Sequence, residues 1–189
     1  DWRAGYGPSM NRVRTGELPW TKLDALHRMT LDRLLEKYQL HLSEAETAEL
    51  NLVWHRLDPW PDAVAGLTKI KAKYPIATLS NGNVSLLADM ARYAKLPWDV
   101  ILSAEMAKRY KPDREVYRMA AEYFSARPEE ILMVAAHKSD LFAAKEAGLR
   151  TAYVPRDREQ GPGKKADRAP DQRLDVWAED FVELAAMLT

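Results

Sequence analysis

Ile76-Ala77-Thr78-Leu79, then Ser80-Asn81-Gly82-Asn83, then a helical run from Val84 to Lys95, is the stretch that decides the fold. It reads as a short buried strand, a polar turn and a helix. The same texture continues towards the C terminus. Val100-Ile101-Leu102 is the next strand, and a helix follows from near Arg114 to Ser125. Ile131-Leu132-Met133-Val134-Ala135 is a strand, and a helix from about Asp140 stops at Gly148. Thr151-Ala152-Tyr153-Val154 is another strand. Alternating strands and helices predict a parallel sheet covered on both faces. Arg156 to Arg173 is polar and rich in Gly, Pro and charge, and reads as a surface loop. A strand near Asp175 to Trp177 and a helix from Asp180 to Leu188 close the pattern. No internal repeat is visible.

Upstream of this stretch the texture is different. Leu23, Leu26, His27, Thr30, Leu31, Leu34 and Leu35 are spaced by three and four, which puts the apolar members on one helix face. Ser43-Glu44-Ala45-Glu46 is a capping-box pattern opening a second periodic run through Leu50, Val53 and Trp54. Pro59-Trp60-Pro61 ends that run, because proline disfavours helix in the residue before it. The domain boundary is expected there: a helical part over 1–59 and an α/β part over 60–189.

Composition narrows the function. The 189 residues are 47% hydrophobic and 30% charged, ordinary for a globular protein. Lys plus Arg is 28 and Asp plus Glu is 28, so there is no basic excess of the kind that holds nucleic acid. No apolar run approaches a membrane span, and Asp1-Trp2-Arg3 does not open a signal peptide. Cysteine is absent, which removes disulfides, thiolate metal sites and a cysteine nucleophile, and fits a reducing, cytoplasmic setting.

Ligands of open parallel sheets bind beyond the carboxyl ends of the strands. Four polar clusters are candidates. Ser80, Asn81 and Gly82 offer a hydroxyl, an amide and backbone N–H groups at a helix start, which suit an anion. The same residues are also common turn and cap formers. Lys111 precedes a proline that can start a helix and can point back at an anionic centre, or be a solvated basic residue; Tyr117 follows on that helix. Asp140 falls near a helix N-terminus, as an active carboxylate or a cap, with His137 in the loop before it. Arg3, between Trp2 and Tyr6, is a planar guanidinium suited to an anion pocket, or an exposed helix arginine.

Taken in order, Leu79-Ser80-Asn81-Gly82, Tyr110-Lys111-Pro112-Asp113 with Val116-Tyr117, and Val134-Ala135-Ala136-His137 with Asp140 resemble motifs two, three and four of the haloacid dehalogenase superfamily. Gly16-Glu17-Leu18-Pro19-Trp20, Leu23-Asp24-Ala25-Leu26-His27-Arg28 and Trp54-His55-Arg56-Leu57-Asp58-Pro59-Trp60-Pro61-Asp62 resemble the cap, and the return to the core, of the type II (S)-2-haloacid dehalogenases.

The resemblance implies a Rossmann-like α/β parallel-sheet core with an α-helical cap. It also implies a hydrolase that takes small 2-haloacids to 2-hydroxy acids through a covalent aspartyl ester. Ser80 and the N–H groups beside it, with Gly82, would hold the substrate carboxylate. Lys111 would pair with the nucleophile and keep it ionised. Asn81 and Arg3 would stabilise the departing halide. Asp140 would position Lys111 or the hydrolytic water, and Tyr117 would shape the site. His137 stands where some relatives have asparagine, and Trp20 belongs to the cap side of the substrate pocket. The resemblance implies no cofactor and no metal, no nucleic-acid or membrane partner, and a homodimer as an assembly common among relatives.

Two departures accompany it. The family's nucleophile lies on the first core strand, before the helix that bears the arginine matched to Arg3. That strand and its aspartate are expected to precede Asp1, leaving unpaired backbone and apolar surface between the strands flanking the gap. Ser139 stands where several relatives place a bulky aromatic near the halide, which leaves the halide preference open. A magnesium-dependent phosphatase of the same superfamily is the first alternative. It is disfavoured because Ala136 occupies the place of a metal-binding carboxylate. An inactive fragment or a non-catalytic binding protein is the second.

Overall fold

The computed structural model describes residues 1–159 and 161–188. Of the 156–173 loop, Gln160 therefore lies outside the described residues. The helical part comes first. A 3-10 turn at Arg3–Gly5 leads into α1 (Tyr6–Arg14), then α2 (Leu23–Lys37), α3 (Glu44–Asn51) and a 3-10 turn at Leu52–Arg56. The capping box forms as expected: Ser43 Oγ accepts from Glu46 N at 3.3 Å, and Ser43 N donates back to Glu46 Oε2 at 2.8 Å.

The α/β part follows. It runs α4 (Ala63–Lys71), β1 (Ala77–Ser80), α5 (Val84–Ala94), β2 (Val100–Ser103), α6 (Ala104–Ala107), α7 (Arg114–Tyr123), β3 (Leu132–Ala135), α8 (Lys138–Glu146), β4 (Arg150–Tyr153), β5 (Val176–Trp177) and α9 (Phe181–Leu188). Every strand pairing is parallel. Two elements were not read from the sequence, α4 and the single-turn α6. α4 is a short helix whose buried stripe of Ala63, Gly66, Leu67 and Ile70 is smaller than that of a long amphipathic helix. One start also moves. α8 begins at Lys138, two residues before Asp140, so Asp140 sits in its first turn and His137 takes the N-cap position. α7 begins at Arg114, where it was expected, and Pro112 lies two residues before it.

Side-chain alternation on β3 shows how both faces are covered. Leu132 and Val134 pack with Leu67, Ile70, Leu184 and Ala185 of α4 and α9. Met133 and Ala135 pack with Tyr117, Leu141 and Ala144 of α7 and α8. A strand buried on both sides needs apolar residues at every position, which is why it reads as an unbroken run.

The strands form two sheets, β1-β2 and β3-β4-β5, with no pairing between β1 and β3 among the described residues. They are linked by packing instead. Leu79 of β1 touches the cluster of Met133 and Tyr117 as well as that of Leu102 and Met119.

A polar joint ties the helical part to the α/β part. His55 is buried, with Nδ1 2.8 Å from Asp89 Oδ2 of α5 and Nε2 3.1 Å from Asp24 Oδ2 of α2. Asn83, at the N-cap of α5, donates from Nδ2 to Asp24 Oδ2 at 2.8 Å and accepts from Asp24 N at 3.1 Å. Buried polar groups are cheap to keep only when bonded in this way.

The contact of α4 with Phe181 of α9 can be tested. A Cβ built on Gly66 of α4 would meet Phe181 Cβ at 2.4 Å and its backbone carbon at 2.5 Å. Helix propensity alone favours alanine over glycine by about 1 kcal/mol. The forced separation of α4 from α9 costs more, as overpacking does, about 1–3 kcal/mol. Gly66→Ala is expected to lower the urea unfolding midpoint; a raised midpoint would show that α9 gives way freely.

Candidate active site

The polar residues past the strand ends converge on Asp140. Lys111 Nζ donates to Asp140 Oδ2 at 2.6 Å, and Tyr117 Oη donates to Asp140 Oδ1 at 2.5 Å. Both side chains of the ion pair are largely enclosed, at 13% and 18% exposure. Burial, and then the Asp140 charge, push the Tyr117 phenol well above its ordinary pKa, so it stays a neutral donor. Asp140 thus has both oxygens engaged, and the α8 N-terminus behind it favours its charge.

Asn81 fixes where Lys111 starts from. Its Oδ1 accepts from Lys111 N at 2.7 Å, and its Nδ2 donates to Lys111 O at 3.4 Å and to Met10 Sδ at 3.3 Å. The amide is therefore engaged with protein at both ends, holding the motif after β1 against the motif before α7. Ser80 Oγ accepts from Gly82 N at 3.1 Å, and Gly82 O accepts from Ser103 Oγ at 2.6 Å. The start of α5 is not wholly open to a ligand, because Val84 N donates to Glu105 Oε2 at 2.8 Å.

Two expected site residues lie in a second group. Arg3 Nη2 donates to Glu159 Oε1 at 3.3 Å, and His137 Nε2 is 3.0 Å from Glu159 Oε2. The Glu159 hydrogen bond raises the His137 pKa from its ordinary value, and the same bond lowers that of Glu159. A cleft of about 280 Å³ opens beside them, lined in part by His137, Ser139, Tyr153, Arg158 and Glu159. Trp20 stands apart from both groups: its ring packs on Tyr110, with centroids 4.8 Å apart, in the apolar cluster of Met10, Leu23 and Leu26.

Sequence reasoning missed Glu159 and Tyr6 as site residues. Glu159 sits in a loop with no periodicity, and its partners are 156 and 22 positions away. Tyr6 was noted only as a flank of Arg3. Its phenol is raised in pKa, by burial first and then, against the lowering effect of Asn81, by the nearby Asp140 charge. Among the described residues, no three His, Asp or Glu side chains form a group that could hold a metal ion, and no helix is long and apolar enough to cross a membrane.

A parallel sheet covered on both faces, capped by helices, with its polar cluster past the strand ends, is the architecture of a capped α/β enzyme. The chain belongs to the haloacid dehalogenase-like hydrolase family, which it matches over residues 3–148. It is 33% identical to (S)-2-haloacid dehalogenase 4A of Burkholderia cepacia over 139 residues, covering 72% of this chain and 59% of that protein. The chain thus spans less than two thirds of that relative. Among solved structures, it is 45% identical to the L-2-haloacid dehalogenase PA0810, with a TM-score of 0.95, covering 100% of this chain and 83% of that one. The defluorinating L-2-haloacid dehalogenase Rha0230 is similar at the same identity and TM-score, covering 99% and 78%.

The ion pair itself is testable. Removing one partner of an enclosed pair leaves an uncompensated charge, at about 3–5 kcal/mol when fully buried and less where water reaches it. Asp140→Asn is expected to destabilise by about 1–3 kcal/mol in denaturant unfolding. In a Lys111→Met background the same change should cost less than half as much. Additive effects would show that the contact carries no coupling.

Proposed function

We propose that the protein releases halide from short 2-haloalkanoic acids by hydrolysis, through an ester on an enzyme carboxylate, and that it acts on the (S) configuration. A carboxylate oxygen bonds to C2 as the carbon–halogen bond breaks, and the halide leaves with the electron pair. Water then attacks the ester carbonyl, giving the 2-hydroxy acid, the free carboxylate and a proton. The observation that carries this reading is the Lys111–Asp140–Tyr117 group within a chain of this family. The activities of the similar dehalogenases support it.

The roles are those the family resemblance implies, and the contacts of Lys111 and Asp140 described above support theirs. Asp140 is a poor nucleophile because both its oxygens are bonded; it holds Lys111 in place. Lys111 is the cation beside the attacking carboxylate. Ser80 and Gly82 receive the substrate carboxylate, Arg3 and Asn81 serve the halide, and Tyr117 and His137 shape the site. Trp20 acts at a remove, by backing Tyr110. The cap over 1–59 and the core over 60–189 are part of the same proposal. Metal independence belongs to it too, since the one carboxylate of the fourth motif is already neutralised by Lys111. Ser139 in place of a bulky aromatic, and the likeness to a defluorinating enzyme, support including fluoride among the halides tested.

In the full-length protein, chloride release from (S)-2-chloropropanoate is expected to survive a chelator and to exceed that from the (R) form. Activity that vanishes with chelator and returns with magnesium would overturn the metal-free reading. Hydrolysis of a phosphate monoester in its place would favour the phosphatase.

Lys111→Ala is expected to lower turnover on the order of 100-fold or more, far beyond any loss explained by unfolding. Arg3→Lys keeps the charge but loses the rigid planar fork, so it should slow ester formation more than ester hydrolysis. Unchanged burst kinetics would remove Arg3 from the halide role.

A further inference from the structure

Glu159 reaches the site from the 156–173 loop, and neither the ester chemistry nor the roles above make use of it. Its placement is built. Arg156, three residues earlier, donates from Nη1 and Nη2 to the two carboxylate oxygens of Asp62, both at 2.7 Å, and is 9% exposed. Asp157 Oδ1 accepts from Ala166 N at 2.8 Å, and Arg158 N donates to Lys164 O at 3.0 Å. The turn that carries Glu159 is therefore anchored on both sides. From it, one carboxylate oxygen meets Arg3 and the other meets His137.

Each contact leaves something free. Glu159 takes Nη2 of Arg3, and a guanidinium has five N–H donors, so the rest of the fork remains for an anion. It takes Nε2 of His137, which leaves Nδ1. A neutral imidazole is a donor at one nitrogen and an acceptor at the other; only the imidazolium donates from both. With Glu159 on Nε2, a protonated His137 presents Nδ1–H as a second donor. An asparagine amide in that place would donate at any pH without such help.

We propose that Glu159 is a positioning residue: its carboxylate ties Arg3 to His137 and keeps His137 a two-fold donor, so that both groups face the departing halide. This rests on the dehalogenase reading given above. It makes the halide-expelling step depend on pH through His137. The groups that act on His137 are Glu159, by hydrogen bond and charge, Asp140, which also favours the imidazolium, and Arg3, which opposes it. Glu159 in turn is lowered by His137, Arg3 and Arg156.

The sign follows from these directions. A raised histidine loses its charge and its second donor as pH rises through its folded pKa; a lowered glutamate loses its charge as pH falls through its own. The bridge is thus intact between the ordinary values of 4.5 for Glu and 6.5 for His and somewhat beyond each.

The test is made on the full-length protein with Glu159→Gln, Glu159→Asp and His137→Asn. The chain has four histidines, so the His137 resonance is identified by its loss in His137→Asn. In Glu159→Gln, the NMR titration midpoint of His137 should move down, and the alkaline limb of the pH profile for ester formation should shift the same way. At neutral pH the rate should fall roughly 1.5-fold to fivefold, the span of a half-exposed charged contact. Glu159→Asp should recover part of both. In a His137→Asn background, Glu159→Gln should no longer move the pH profile. An unmoved His137 midpoint in Glu159→Gln overturns the proposal, and so does a pH profile that shifts equally in the His137→Asn background. A wild type that releases no halide sinks the dehalogenase reading instead, and the coupling is then decided by the titration alone.

Discussion

The carboxylate of Asp140 is the constraint around which the site is organised. Two donors of different kinds, an ammonium and a neutral phenol, reach it from opposite ends of one chain segment: Lys111 before α7 and Tyr117 within it. Once both are bonded, the start of α7 and the start of α8 cannot move independently. Asn81 extends the constraint by holding the backbone of Lys111 from the loop after β1. The ends of β1 and β3 lack backbone pairing with each other among the described residues, so this polar chain and the packing of Leu79 are what register them.

The helical part is brought to this centre by a second set of bonds. Asp24 and His55 of the helical part are hydrogen-bonded to Asn83 and Asp89 of the α/β part. Because Asn83 follows directly on Ser80–Gly82, the joint between the helical part and the α/β part ends where the turn after β1 begins. A shift of α2 would be felt at that turn. Arg3 and Glu159 form a lighter second tie between the N-terminal turn and the loop beyond β4; Arg3 is 53% exposed, so this tie contributes little to stability.

The sheet and its covering helices were legible because buried strands and helix faces leave periodic apolar patterns. Thr78, Leu79 and the run through Val134 sit in strands as read. The centres of α2, α5 and α7 also fall where their spacing puts them. What failed were ends and short elements: α8 starts at Lys138, after an N-cap residue, His137, whose side chain makes no capping bond to mark it, and α6 is one turn with no period to detect. Within the site, Lys111, Tyr117 and Asp140 are weak signals residue by residue; the family resemblance joins them, and the fold brings their side chains into contact. Asn81 was legible as a site residue, but not its use of both amide ends on protein. Glu159 was illegible, since a carboxylate in a polar loop carries no sign of its partners. Tyr6 could have been found from its place one turn after Arg3 on the same helical segment.

The central claim is that halide is expelled by a carboxylate of the protein, held ionised beside Lys111, and not by water. A single turnover in ¹⁸O-enriched water, with enzyme in excess over (S)-2-chloropropanoate, separates the two directly. Attack by the carboxylate places an ordinary oxygen on C2 of the hydroxy acid and leaves ¹⁸O in the protein, seen as a mass gain of about 2 Da in one acidic peptide. A product carrying ¹⁸O at C2, with no label in the protein, would contradict it.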